Sequence, residues 1–156
     1  MEPDEGLKSS SAARDTALRL LSRREHSRRE LRAKLKLRGY ESSTAYSVID
    51  DLADEGLQSD RRYAEAFVHS RRARLQGPLK IQAELGHRGV HKSLINEALE
   101  FYAGEWVPLA VAYIQKRGMA GLLTDFDQRQ KVYRRLASRG FSHGDAIAAI
   151  EENNSN

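Results

Sequence analysis

Arginine and lysine dominate the residues of this chain whose type and spacing suit them to chemistry. Within "SRREHSRRELRAKLKLR", Arg28, Arg29, Arg32 and Lys36 recur at helical spacing and are expected to share a stripe. A second basic segment, "HSRRARLQGPLK", carries Arg71, Arg72 and Arg74 just before a Gly77-Pro78 corner and Lys80 just after it. Guanidinium forks and ammonium groups pair with phosphate or carboxylate, and helix starts add donors for an anion. The plainer reading is a set of solvated helix faces. Arg71 follows Phe67 by one turn, so its stem is expected to cover core, which leaves Arg72 and Arg74 as the preferred candidates for contact.

Other constellations carry less. The chain has no cysteine, which excludes disulfides and thiolate metal sites. His87 and His91 have a metal-ligand spacing, but Gly89 lies between them at an expected helix stop, which separates their faces. His26, His69 and His143 have no evident carboxylate partner in sequence and are assigned surface or capping roles. Asp50, Asp51, Asp54 and Glu55 lack the alternating ligands and central glycine of a calcium loop; they read as a solvated helix face or an acidic contact patch. No phosphate loop, dinucleotide fingerprint, nucleophile elbow or His-Glu-x-x-His motif occurs. The expectation is a binding protein with no catalytic residues, no metal and no cofactor.

Charge is segregated along the 156 residues, although the net charge is only +4. Residues 17–39 hold nine basic residues against two acidic; residues 40–60 hold six acids and no base; residues 61–100 hold eight bases against four acids. Such blocks suit a basic face meeting an anionic partner. No apolar run approaches the roughly 20 residues of a membrane span, and the first residues lack the pattern of a signal peptide. A soluble, cytoplasmic protein without membrane contact is expected.

The elements that position these residues are repeated. "LKLRGY", "LGHRGV" and "LASRGF" place Gly39, Gly89 and Gly140 at intervals of 50 and 51 residues. Upstream of each lies an apolar i, i+4 pair: Leu31 and Leu35, Ile81 and Leu85, Val132 and Leu136. Each glycine reads as a helix stop in the left-handed region, with arginine at the negative end of the helix dipole. Ser27 with Glu30 forms a capping box, Ser142 with Asp145 a looser one, and Pro78 suits a first helical turn. With one helix before and one after each repeated phrase, the fold expected is all-α: an elongated tandem array of three three-helix, helix-turn-helix-like repeats. Their expected spans are 12–57, 58–103 and 104–152, with disordered ends at 1–11 and 153–156. "KRGMAGLLTDFD" is expected to be a glycine-broken loop in the third.

The segment Gly56–Val90 resembles the central signature of the RecX family of bacterial regulators. It presents Asp60, Arg62, Tyr63 and Ala64, then Ser70 and Arg71, then Gly77, Pro78, Lys80 and Ile81, then Glu84, Leu85, Gly89 and Val90. "SRREL" and "YRRLASRGF" resemble the flanking repeats, so the resemblance spans about residues 17–152. Leu75 and Gln76 stand where the family often has Gly-Tyr, and Gln58 and Ser59 where it usually has an aliphatic residue and an acid or Asn. The resemblance implies a partner, the RecA recombinase filament on single-stranded DNA. It implies limits on filament growth, ATP hydrolysis and strand exchange, within homologous recombination, DNA repair and the SOS response. A monomer that binds single-stranded DNA weakly and non-specifically when alone is expected for that task. The alternative is a direct DNA-binding helix-turn-helix regulator. The acidic "TAYSVIDDLAD" is a poor base-reading helix and weighs against it.

Overall fold

The computed structural model describes the backbone of residues 5–154 and the side chains of residues 10–154. Among the described residues it is all helical: α1 (Glu5–Arg23), α2 (Arg28–Leu37), α3 (Ser42–Asp54), α4 (Asp60–Ala73), α5 (Pro78–His87), α6 (Lys92–Glu100), α7 (Trp106–Lys116), α8 (Phe126–Ser138) and α9 (His143–Asn154), with a 3-10 turn at Ala120–Leu122. The expected repeat boundaries at 57/58 and 103/104 fall between helices. The expected disordered ends need correction where they are described, because α1 starts at Glu5 and α9 runs to Asn154. No proline lies between Glu5 and the buried Ala13 and Ala17; a helix once nucleated by packing propagates cheaply through such a stretch. Residues 1–4 and 155–156 lie outside the described residues.

The repeated apolar pairs build the interior. Leu31, Leu35, Ile81, Leu85, Val132 and Leu136 are all fully buried, each stabilising by about 1.5–3 kcal/mol relative to exposure. By compactness the chain divides into two units: one runs to Ala66 and includes Gly86–Leu94, and the other comprises Phe67–Leu85 and the chain from Ile95 onward. In the first, α3 packs on α1 and α2, around Leu20, Leu31, Leu35 and Ile49 and around Val48 and Leu52. In the second, α9 packs on α7 and α8 around Ile114, Val132, Leu136, Phe141 and Ile150. Met119 and Leu123 enter this second core, so the glycine-broken loop is also a packing element.

The repeated Arg-Gly stop has a tertiary role besides ending a helix. Gly39, Gly89 and Gly140 have φ of +89°, +81° and +100°, as expected of left-handed caps. In the first unit the Arg88 carbonyl accepts a hydrogen bond from Ser27 Oγ at 2.8 Å, at the start of α2. In the second unit the Arg139 and Gly140 carbonyls accept from the N–H groups of Gly77 and Leu79, each at 2.9 Å, at the start of α5. Each pairing satisfies orphan groups at a helix end. A stop thus docks on the helix start that lies one repeat earlier in sequence.

Ser27 accepts the Glu30 N–H at 3.1 Å, as the capping box requires, and Ser142 accepts that of Asp145 at 3.1 Å. The reciprocal half of the first box is replaced, since the Glu30 carboxylate is engaged elsewhere. Asp60 Oδ1 contributes a second cap by accepting the Arg28 N–H at 2.9 Å.

Of the surface or capping roles expected for His26, the surface one is overturned, because the residue is buried beside these caps. Its Nδ1 lies 3.0 Å from the Arg24 carbonyl, and its Nε2 lies 3.0 Å from Lys34 Nζ. An ammonium can only donate, so Nε2 accepts and Nδ1–H donates: the ring is neutral. Burial first, then the charges of Arg24 and Lys34, hold its pKa below the ordinary value, outweighing the bond to the Arg24 carbonyl and the nearby Glu30. The unfolded chain therefore takes up a proton that the folded chain resists. Stability is expected to fall as pH drops below about 6.5. Urea midpoints between pH 7.5 and 5 should show this slope, and His26→Gln should flatten it; equal slopes would remove His26 as the cause.

Candidate functional site

An open groove of about 490 Å³ runs between α2 and α3, lined by Arg29, Arg32, Ala33 and Lys36 from α2, Ser42, Ala45 and Tyr46 from α3, and Gly89 at its edge. Leu31 and Leu35 turn one face of α2 into the core, which leaves Arg29, Arg32 and Lys36 on the groove side. Arg32 lies over the Tyr46 ring, 4.7 Å from its centroid, and Tyr46 is 50% exposed. The aliphatic stem of Arg29 packs against Gly89, where an added Cβ would sit 2.7–2.8 Å from it. The expected stripe is therefore divided. Arg29, Arg32 and Lys36 line the groove, whereas Arg28 pairs with Asp50 at 2.6 Å. Tyr46 is the residue that sequence reasoning passed over; its place on α3, off the Ala45, Val48, Ile49 and Leu52 face, was the available signal.

The second basic segment is sorted differently from expectation. Arg71 lies 4.6 Å from the Phe67 centroid and 3.3 Å from Glu84, so its stem covers core as expected. Arg72, preferred for contact, is the more enclosed of the two, with 16% of its side chain exposed. Its guanidinium lies 4.2 Å from the Tyr102 centroid and 4.7 Å from that of Trp106, with Glu105 at 3.9 Å. Such stacking is worth about 2 kcal/mol when desolvated, so Arg72 holds α4 to the residues around α7. Arg74 and Lys80 are exposed. The probe of this segment is therefore Arg74 with Lys80 in place of Arg72 with Arg74.

The signature positions mostly perform structural tasks. Asp60 accepts from Arg28 and from Gln58 Nε2, both at 2.9 Å. Arg62 Nε donates to Glu25 at 2.9 Å, and its Nη2 donates to the Gly56 carbonyl at 2.8 Å. Tyr63 Oη donates to Glu30 Oε1 at 2.9 Å, and Arg88 Nη1 donates to the same oxygen at 2.5 Å. Arg24 donates to the other oxygen at 3.0 Å. Burial acts to raise the Glu30 pKa, but bonds from Arg88, Arg24 and Tyr63 outweigh it and hold the carboxyl below its usual value. Burial first, then Glu30, push the Tyr63 hydroxyl up to about 12. Pro78 opens α5, Ile81 is buried, and Gly77 meets the Gly140 backbone.

The departures from the pattern also have places. Leu75 has φ +60°, which suits the glycine often found there, and its side chain packs against the Ile114–Leu136 core. Gln76 is buried and donates to Glu84 at 3.0 Å. Gln58 is buried too, and also donates to the His26 carbonyl at 3.2 Å. Ser59 accepts the Arg62 N–H at 3.2 Å. Three of the remaining histidines serve local contacts: His91 accepts the Ser93 N–H at the start of α6, and His143 and His69 meet Tyr133 and Tyr102 hydroxyls. No group of three metal-ligating side chains occurs among the described residues. No described helix is long and apolar enough to cross a membrane.

Fold and site together define a helical-repeat protein whose first unit carries an open cationic groove. Residues 13–52 match the family model of the first three-helix domain of RecX, and residues 59–99 that of the second. The regulatory protein RecX of Chromohalobacter salexigens is 51% identical over 128 residues, covering 82% of this chain and 84% of that protein. That of Xanthomonas axonopodis pv. citri is 45% identical over 133 residues, covering 85% and 82%. The crystal structure of RecX from Lactobacillus salivarius shares the fold, with a TM-score of 0.85 at 24% identity over 96% of this chain and 99% of that one. The chain belongs to the RecX family of regulatory proteins.

Proposed function

We propose that this chain binds the filament of RecA on single-stranded DNA and restrains its growth, ATP hydrolysis and strand exchange. It would thereby modulate homologous recombination and DNA repair, acting in the cytoplasm as a monomer. The observation that carries the reading is a groove lined by Arg29, Arg32 and Lys36 in a member of the RecX family. Among the described residues no ion pair of the kind that joins Arg28 to Asp50 consumes their charges, so they remain available to phosphates. The exposed acids Asp51 and Asp54 on α3 oppose insertion of that helix into a DNA groove. That weighs against a sequence-reading regulator.

RecA ATP hydrolysis on single-stranded DNA, titrated with this protein at two salt concentrations, tests the reading. Wild type should inhibit. Arg29→Glu with Lys36→Glu should raise the half-inhibiting concentration by about tenfold, with helicity unchanged by circular dichroism. Arg74→Glu with Lys80→Glu asks the same of the second segment. No inhibition by wild type would end the proposal; equal inhibition by either folded double variant would remove that segment from the interface.

A further inference from the structure

We propose that the α2–α3 groove holds single-stranded nucleic acid by stacking an unpaired base on Tyr46 beside Arg32, with adjoining phosphates on Arg29 and Lys36. The inference deepens the preceding reading and takes from it only that the anionic partner is a nucleic acid.

The third repeat supplies an internal comparison. It is offset from the first by 101 residues, as Gly39 and Gly140 mark. Between α8 and α9 it carries a groove of about 340 Å³ lined by Phe126, Arg129, Gln130, Tyr133, His143 and Ile147, among others. At this offset Gln130 stands for Arg29, Tyr133 for Arg32, Ala137 for Lys36 and Ile147 for Tyr46. Arg129 and Glu151 stand for Arg28 and Asp50, the pair that is already neutralised in the first repeat. The helix pair thus forms with no cation at the positions of Arg29, Arg32 and Lys36 and no ring at that of Tyr46, although Phe126 and Tyr133 bring rings to this groove from α8. Packing does not demand those three cations or Tyr46 in the first repeat, where they line one opening.

Their arrangement favours a single strand. Successive bases of an unpaired strand offer π faces, and a half-exposed ring at the rim of a cationic groove is a stacking platform for one. The Arg32 guanidinium, 4.7 Å from the Tyr46 centroid, adds a second planar surface and a charge. A duplex hides its base faces and presents two charged backbones. One of these would meet the exposed Asp51 and Asp54 farther along α3.

The test uses the whole protein at low salt with no recombinase. The probe is a short oligothymidylate carrying one 2-aminopurine, with an abasic oligonucleotide and a duplex as comparison arms. Wild type should change the 2-aminopurine emission and prefer the single strand. Tyr46→Leu should weaken binding by about five- to hundredfold while leaving the salt slope unchanged, and Tyr46→Phe should bind as wild type does. Arg29→Gln and Lys36→Gln should each lower the salt slope by about 0.7. All three positions are exposed and away from the buried core, and circular dichroism checks each fold. Wild-type binding by Tyr46→Leu, equal affinity for the abasic strand, preference for duplex, or no binding at low salt would each overturn the inference. Without recombinase in the assay, such a failure leaves the regulator reading standing; loss of that reading in the ATP hydrolysis assay leaves the oligonucleotide result intact.

Discussion

Gly77→Ala is expected to lower the unfolding temperature by about 10 °C, corresponding to at least about 3 kcal/mol for a chain of this size. The cause is not dihedral freedom, because Gly77 is not among the residues with positive φ. An added Cβ would lie 2.3 Å from the Gly140 carbonyl carbon, 2.4 Å from the Phe141 nitrogen and 2.5 Å from the Gly140 oxygen. All three are backbone atoms, so no flexible side chain can yield. To relieve the overlap the two segments must part, which stretches the Gly77 and Leu79 hydrogen bonds to Arg139 and Gly140. Gly39→Ala is the comparison. It has φ +89° but nothing within 4 Å of an added Cβ, so only dihedral strain of about 1 kcal/mol applies. Equal losses in urea denaturation would show that close approach at Gly77 contributes nothing beyond backbone strain.

The second large effect is expected at Glu30. Its side chain is 12% exposed, while that of Arg88 is 39% exposed. A fully buried broken pair costs about 3–5 kcal/mol and an exposed one at most about 1; Glu30→Gln should therefore cost about 2 kcal/mol. The loss falls on the contact between the start of α2 and the second Arg-Gly stop, within the first unit. A double-mutant cycle of Glu30→Gln with Arg88→Met should give a coupling energy above about 1 kcal/mol, and additivity within about 0.5 would show that the pair is incidental. pH supplies a second check. The folded pKa of Glu30 is lowered, so its contribution is complete above the unfolded value of about 4.3 and is lost as pH falls through the folded value. Glu30→Gln should lack this acid limb, which lies below the His26 limb and is separable from it.

Repetition made the helices and their ends legible in the sequence. Leucine or another aliphatic residue at i, i+4 ahead of Arg-Gly specifies a buried helical face and a left-handed stop, and both are local consequences of side-chain period and glycine geometry. Pro78, Ser27 and Ser142 marked helix starts for similarly local reasons. Residues of one type and spacing were harder to separate. Arg28, Arg29, Arg32 and Lys36 look alike in sequence, yet Asp50 holds the first while the others line a groove with Tyr46. Arg72 and Arg74 look equally exposed, yet Tyr102 and Trp106, some thirty residues later, enclose Arg72. His26 carried no local mark of burial, because its partner Lys34 and its cover come from the folded unit. Composition and period by themselves determined an all-helical repeat with segregated charge. Which cations are spent on carboxylates and rings, and which face solvent, depends on contacts between residues distant in sequence, and only the tertiary structure decided it.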